Sequence, residues 1–151
     1  MTAISYVLSF GFVLTAVGLN YVQAVTDTEL SFIKEKVIPV LSECAKEHDT
    51  TSEEVIAAKK NGKYDEINPC IAACVLKKAG IINDKGMFDP EQAEAMGKEY
   101  VKNDDDVTKF KSVLTTCASV NEKEVTDGEK GCERAQLLVK CFLENHQGLV
   151  E

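Results

Sequence analysis

Six cysteines, Cys44, Cys70, Cys74, Cys117, Cys132 and Cys141, are the side chains in this sequence whose type and spacing point most directly to chemistry. Thiols can ligate a metal, act as nucleophiles or pair with one another, and context separates the three. Zinc ligation needs two close couples, and Cys70-x₃-Cys74 supplies half of that arrangement, with His48 and His146 as the remaining nitrogen donors. Nucleophilic catalysis needs a base. Neither histidine sits in a recognisable motif, and Gly-x-Ser-x-Gly, His-Glu-x-x-His and glycine-rich phosphate loops are all absent from the sequence. Pairing is the remaining use, and an even number of cysteines behind a secretory leader reads as three disulfides.

The leader is residues 1–24, MTAISYVLSFGFVLTAVGLNYVQA. It holds no charged side chain, is apolar from Ile4 to Leu19, and ends in Val22-Gln23-Ala24, with small residues at the positions a cleavage site favours. The apolar run falls short of the roughly 20 residues of a membrane span. A cleaved signal peptide is therefore expected, followed by one domain over residues 25–151. That domain carries all 17 basic and all 25 acidic residues of the chain, hence its whole net charge of −8. Nucleic acid and anionic membranes both select a basic face, so neither is an expected partner. The acidity suits solubility in an extracellular fluid.

The elements that position the thiols follow from apolar periodicity, which is helical throughout. Leu30, Ile33, Val37, Leu41 and Cys44 mark a first helix over about residues 27–47, bent at Pro39. Thr51-Ser52-Glu53-Glu54 is a capping box opening a second helix that stops before Asn61-Gly62. Asn68, Pro69 and Gly80 bracket a third. Asp89-Pro90 opens a fourth, with Ala93, Met96 and Tyr100 turned inward. Asp104-Asp105-Asp106 precedes a fifth, where carboxylates favour a helix N-terminus, and no calcium loop follows that run. The fifth helix carries Val107, Phe110, Leu114 and Cys117 as its apolar stripe, and a sixth runs from Asp127 to about Asn145. The expected fold class is all-α: a six-helix, disulfide-stapled bundle enclosing an apolar cavity.

Helical geometry limits the pairing. Cys70 and Cys74 share one face of the third helix with Cβ atoms roughly 5–6 Å apart, too far for a bridge between them. Cys132 and Cys141 lie about half a turn out of phase and about 13.5 Å apart along the last helix. Excluding both pairs leaves ten of the fifteen arrangements open. The last helix, holding thiols on opposite sides, is expected between two neighbours.

The pattern Cys44-x₂₅-Cys70-x₃-Cys74-x₄₂-Cys117-x₁₄-Cys132-x₈-Cys141, behind a leader and in a helical chain of this size, resembles the insect odorant-binding proteins, the pheromone and general odorant-binding family. The x₃ and x₈ intervals are its diagnostic parts. The resemblance implies Cys44 with Cys74, Cys70 with Cys132 and Cys117 with Cys141. It also implies a secreted, non-enzymatic carrier of small hydrophobic odorants or pheromones, without cofactor or metal and without stable membrane anchoring. The implied partners are the ligand and a chemosensory receptor, for a monomer or weak homodimer.

Wall positions are read from the residues alone: Val37, Leu41, Leu76, Met87, Phe88, Met96, Phe110, Leu114, Leu138 and Phe142. The methionines are adaptable and the phenylalanines large, which suits contact with varied apolar molecules. Tyr100 or Thr116 is the expected contact for a ligand's polar head group. In the tail of ten residues after Cys141, Leu149 and Val150 are the expected short lid, and acid-triggered release through His48 or His146 is expected to be modest. The other reading is a secreted interaction or defence protein whose disulfide frame supports a contact surface without a cavity.

Overall fold

A computed structural model describes residues 33–101 and 103–145. The expected signal peptide, the start of the first helix, His146, Leu149 and Val150 lie outside the described residues. Within them are six α-helices: α1 (Ile38–Lys46), α2 (Ser52–Lys60), α3 (Pro69–Lys78), α4 (Pro90–Gly97), α5 (Asp104–Cys117) and α6 (Cys132–Asn145). Among the described residues there is no sheet, and the one extended pairing is an isolated antiparallel bridge between Ile82 and Phe88.

Local signals account for most of the helix starts. Thr51 Oγ1 accepts from the Glu54 N–H at 3.2 Å while Glu54 Oε2 accepts from the Thr51 N–H at 3.1 Å, which closes the capping box of α2. Asn68 Oδ1 caps α3 by accepting from the Cys70 N–H at 2.9 Å, and Pro69 follows it in the first turn. Asp89 and Asn103 do the same for α4 and α5, accepting from Gln92 N–H at 3.0 Å and Asp105 N–H at 2.9 Å. Two starts differ from the sequence expectation. The first helix is not one bent rod: a π-helical turn, Ile33–Val37, leads into α1 with Pro39 in its first turn. Pro39 has no N–H for the carbonyl four residues before it, so the regular winding is established only around and after it.

The last helix starts at Cys132 rather than at Asp127. A single 3₁₀ turn, Gly128–Lys130, comes first and ends at Gly131 in the left-handed region. Asp127 still serves α6, because its Oδ2 accepts from the Glu133 N–H at 3.0 Å; Glu133 in turn accepts from the Thr126 N–H at 2.8 Å. This reciprocal pair does the work of a capping box across a wider loop.

The layers are set by α6, which packs along α3 on one side and against α5 on the other. The structure joins Cys70 to Cys132 and Cys117 to Cys141, so each packing partner is also bonded covalently to α6. Cys44 is bonded to Cys74, tying α1 to α3. These are the pairs that the family resemblance implies, and no cysteine is free. Helix α4 lies on α5 so closely that a Cβ at Gly97 would overlap the Phe110 ring. Helix α2 packs on α1.

Candidate functional site

Among the described residues, an apolar core is built where α3, α5 and α6 meet. Ala73 from α3, Ala93 from α4, Val113, Leu114 and Cys117 from α5, and Cys132, Ala135 and Leu138 from α6 are all buried in one cluster. Ile82 and Phe88, from the loop between α3 and α4, and Val120, just after α5, complete it. Leu76, Phe110, Leu137 and Phe142 pack against its edge. The Phe88 and Phe142 rings meet edge to face at 6.1 Å between centroids, the arrangement that aromatic quadrupoles favour.

Six of the ten wall candidates gather here. Phe88, Leu114 and Leu138 lie inside the cluster, and Leu76, Phe110 and Phe142 are packed against it. Val37, Leu41, Met87 and Met96 are half-buried and stand outside it. Tyr100 is not turned inward: it falls beyond the end of α4 and is 41% exposed, because α4 closes at Gly97 instead of continuing for another turn.

The wall candidates left out the loop residue Ile82, Val120 and the small residues Ala73 and Ala135, although periodicity already counts Ala135 among the apolar residues of the last helix. A signal for the loop was present. Ile81-Ile82 and Met87-Phe88 flank Asn83-Asp84-Lys85-Gly86, two apolar pairs around a turn sequence. Asn83 O accepts from the Gly86 N–H at 2.9 Å, and the Asn83 N–H donates to Met87 O at 2.9 Å, so the loop closes like a short hairpin. Asn121 then holds it in place, its Oδ1 accepting from the Phe88 N–H at 2.9 Å and its Nδ2 donating to Phe88 O at 2.8 Å. At Gly86, φ is +74° and a Cβ would strike the Gly128 carbonyl, so only glycine lets the loop backbone lie against the turn before α6.

Arg134 is the charged residue of this interior, 4% exposed. Its Nη1 donates to the carbonyls of Val120 and Lys123, and its Nη2 reaches Met87 Sδ at 3.7 Å. Backbone carbonyls thereby take the place of a carboxylate partner. The guanidinium joins the chain after α5, the α3–α4 loop and α6 at one point.

An open depression of about 220 Å³, sharing Val113 with the cluster, lies between α5 and the end of α6, lined by Lys109, Ser112, Val113, Thr116 and Asn145. None of the ten wall candidates borders it. The Thr116 hydroxyl donates to Ser112 O at 3.0 Å, and Asn145 Nδ2 donates to Cys141 O at 2.8 Å, so two of its polar groups are already committed to the helices. Its volume is below the usual 300–1,000 Å³ of a small-molecule site. Among the described residues no group of three or more histidine, cysteine, aspartate or glutamate side chains is placed to hold a metal ion, and no helix is long and apolar enough to cross a membrane.

Comparison with known proteins agrees with this architecture. The general odorant-binding protein 28a of Drosophila melanogaster is 32% identical over 87 residues, a stretch covering 56% of this chain and 56% of that protein. The chain thus spans little more than half the length of this curated relative. No solved structure matches it significantly. The profile of the PBP/GOBP family matches residues 27–145, from before α1 to the last residue of α6 and including all six bonded cysteines, and on that extent the chain belongs to this family of insect odorant-binding proteins.

Proposed function

We propose that this chain is a secreted, non-catalytic carrier that binds small hydrophobic molecules, of the odorant or pheromone kind, between its helices and moves them through an aqueous extracellular fluid. Residues 1–24 are its cleaved signal peptide, and residues 25–151 the working domain. The observation that carries this reading is the combination of family membership with an apolar cluster whose enclosing helices are held by disulfides. Staples of this kind relieve the core of part of its stabilising role, so helices can separate slightly around a guest without the fold being lost. The relative is named an odorant-binding protein, which supports the same ligand class.

The contacts we assign to the ligand are Val37, Leu41, Leu76, Met87, Phe88, Met96, Phe110, Leu114, Leu138 and Phe142. Six of them already share one cluster, and the two methionines are half-buried outside it, with thioethers that can adapt to a guest. A guest burying about ten methylenes gains roughly 8 kcal/mol gross. After the cost of ordering guest and side chains, micromolar or weaker binding remains, which permits both uptake and release.

Displacement of a fluorescent apolar probe by long-chain alcohols, aldehydes and fatty acids tests this directly. Saturable displacement at micromolar concentrations is expected, with less than a hundredfold loss between about pH 7 and pH 5. Absence of any saturable displacement would leave the disulfide frame as support for a protein-contact surface instead.

A further inference from the structure

Met87, one of the ligand contacts assigned above, also touches Arg134, a residue to which the carrier reading gives no role. Met87 stands on the α3–α4 loop, and its backbone is fixed from two sides: Asn83 Oδ1 accepts its N–H at 3.1 Å, and Asn121 grips Phe88 beside it. The side chain is half-buried, with its sulfur 3.7 Å from Nη2 of the guanidinium. Arg134 has spare donor capacity there. Its Nη1 is engaged by two carbonyls, its Nε is buried with no hydrogen-bond partner, and Nη2 meets a thioether, the weakest acceptor a side chain offers.

We infer that Met87 is an oxidation site whose sulfoxide is held by Arg134. Oxidation of a packed methionine ordinarily disrupts a core, since a polar oxygen replaces nothing and finds no donor. Here the opposite chemistry is prepared: a sulfoxide oxygen is a strong acceptor, and Nη2 of a buried guanidinium, whose acceptor there is only the thioether, lies 3.7 Å from the sulfur. The reagent is a peroxide, hydrogen or alkyl. The sulfur lone pair attacks one peroxide oxygen, the S–O bond forms as the O–O bond breaks, and a proton passes to the departing oxygen. Sulfur loses two electrons, and the peroxide is reduced to water or alcohol. The sulfur becomes a stereocentre, and one of its two epimers turns the new oxygen toward the guanidinium. The loop is pinned, so the two epimers are not equivalent. The inference rests on the Met87–Arg134 contact and not on the carrier reading, and the test is made on the protein without added ligand.

The test uses the full, disulfide-intact protein carrying Met96→Leu, which leaves Met87 as the methionine of the helical domain. Hydrogen peroxide treatment is followed by peptide mapping, with the epimers assigned by the two stereospecific methionine sulfoxide reductases. We expect Met87 sulfoxide with one epimer in severalfold excess, and a thermal midpoint unchanged or raised by a few degrees. Equal amounts of both epimers, a Met87 that stays reduced, or a midpoint that falls would each overturn the inference. A second pair of variants stands apart from the reaction. Met87→Gln offers a carbonyl acceptor to Arg134 and Met87→Leu does not, so the glutamine variant is expected to melt at or above the leucine variant; the reverse order counts against the proposal.

Discussion

Helices α6 and α2 occupy opposite ends of this molecule's scale of constraint. Helix α6 is bonded at both ends to different neighbours, and it buries Cys132, Arg134, Ala135 and Leu138. Helix α2 carries no cysteine, and its single buried residue is Ser52. Even its joint with α1 is polar: the Ser42 hydroxyl donates to Ser52 Oγ at 2.9 Å, and Ser52 donates to Glu53 Oε2 at 3.1 Å. The difference teaches that covalent closure and apolar burial are concentrated on the same elements. Helices α3, α5 and α6 are held both by burial in the apolar cluster and by disulfides, whereas α2 has neither a disulfide nor a buried apolar residue. Local opening is accordingly cheapest at α2 and dearest at α6.

The strongest way to break this contrast is to cut a staple. Cys70–Cys132 spans 62 residues and Cys117–Cys141 spans 24. Chain entropy assigns the first about 4 kcal/mol and the second about 3.5 kcal/mol. Cys70→Ser with Cys132→Ser is therefore expected to lower the thermal midpoint at least as far as Cys117→Ser with Cys141→Ser, and calorimetry of the two double variants decides it. A larger loss from the shorter loop would mean that native contacts at that end, not chain entropy, dominate.

Next in size is the effect of a cavity. Leu138 is fully buried, so Leu138→Ala is expected to cost about 2–5 kcal/mol. Ile56→Ala on half-buried α2 is expected to cost about 1 kcal/mol or less. Denaturant midpoints at constant slope measure both, and comparable losses would remove the distinction between the two helices.

The smallest effect sharpens the contrast by confining it to α2. Hydrogen bonds from the Thr50 hydroxyl and then from the Thr51 backbone hold the Glu54 carboxyl below its ordinary 4.5. A carboxyl lowered in the folded state stabilises that state above about pH 4.5, and the contribution is lost as pH falls through the lowered value. Amide protection, corrected for the intrinsic exchange rate at each pH, is thus expected to fall in α2 below pH 4.5 before it falls in α6. Thr51→Ala, which removes half of the capping box, should produce the same local fraying at neutral pH, about 1 kcal/mol. Acid opening that starts in α6 would contradict this order.

Legibility followed the range of the forces involved. The α2 capping box, the Asn68–Pro69 start of α3 and the apolar stripe of α5 were readable because each depends on neighbours within four residues in the chain. The start of α6 was misplaced by five residues because Asp127 looks like a cap in sequence. It reaches Glu133 N–H only after Gly128–Gly131 has turned, which no local pattern encodes. Five of the six gathered wall candidates sit on helices and share an apolar phase, while Phe88 comes from the α3–α4 loop; Ile82 and Val120 escaped because segments outside the six α-helices bring them inside, and Arg134 because its charge reads as a solvent-facing position until carbonyls from the chain after α5 meet it.

By itself the sequence determined the class of the molecule: an acidic, helical chain with six thiols at intervals that forbid two of the possible bridges. Backbone propensity, capping and helical phase are short-range properties, so composition and spacing carry them. Tertiary structure decided which loop folds under which helix, how a guanidinium comes to be satisfied by carbonyls, and which side of α6 faces α3. Those depend on atoms from distant parts of the chain arriving at one place, and their energies exist only once the helices are packed.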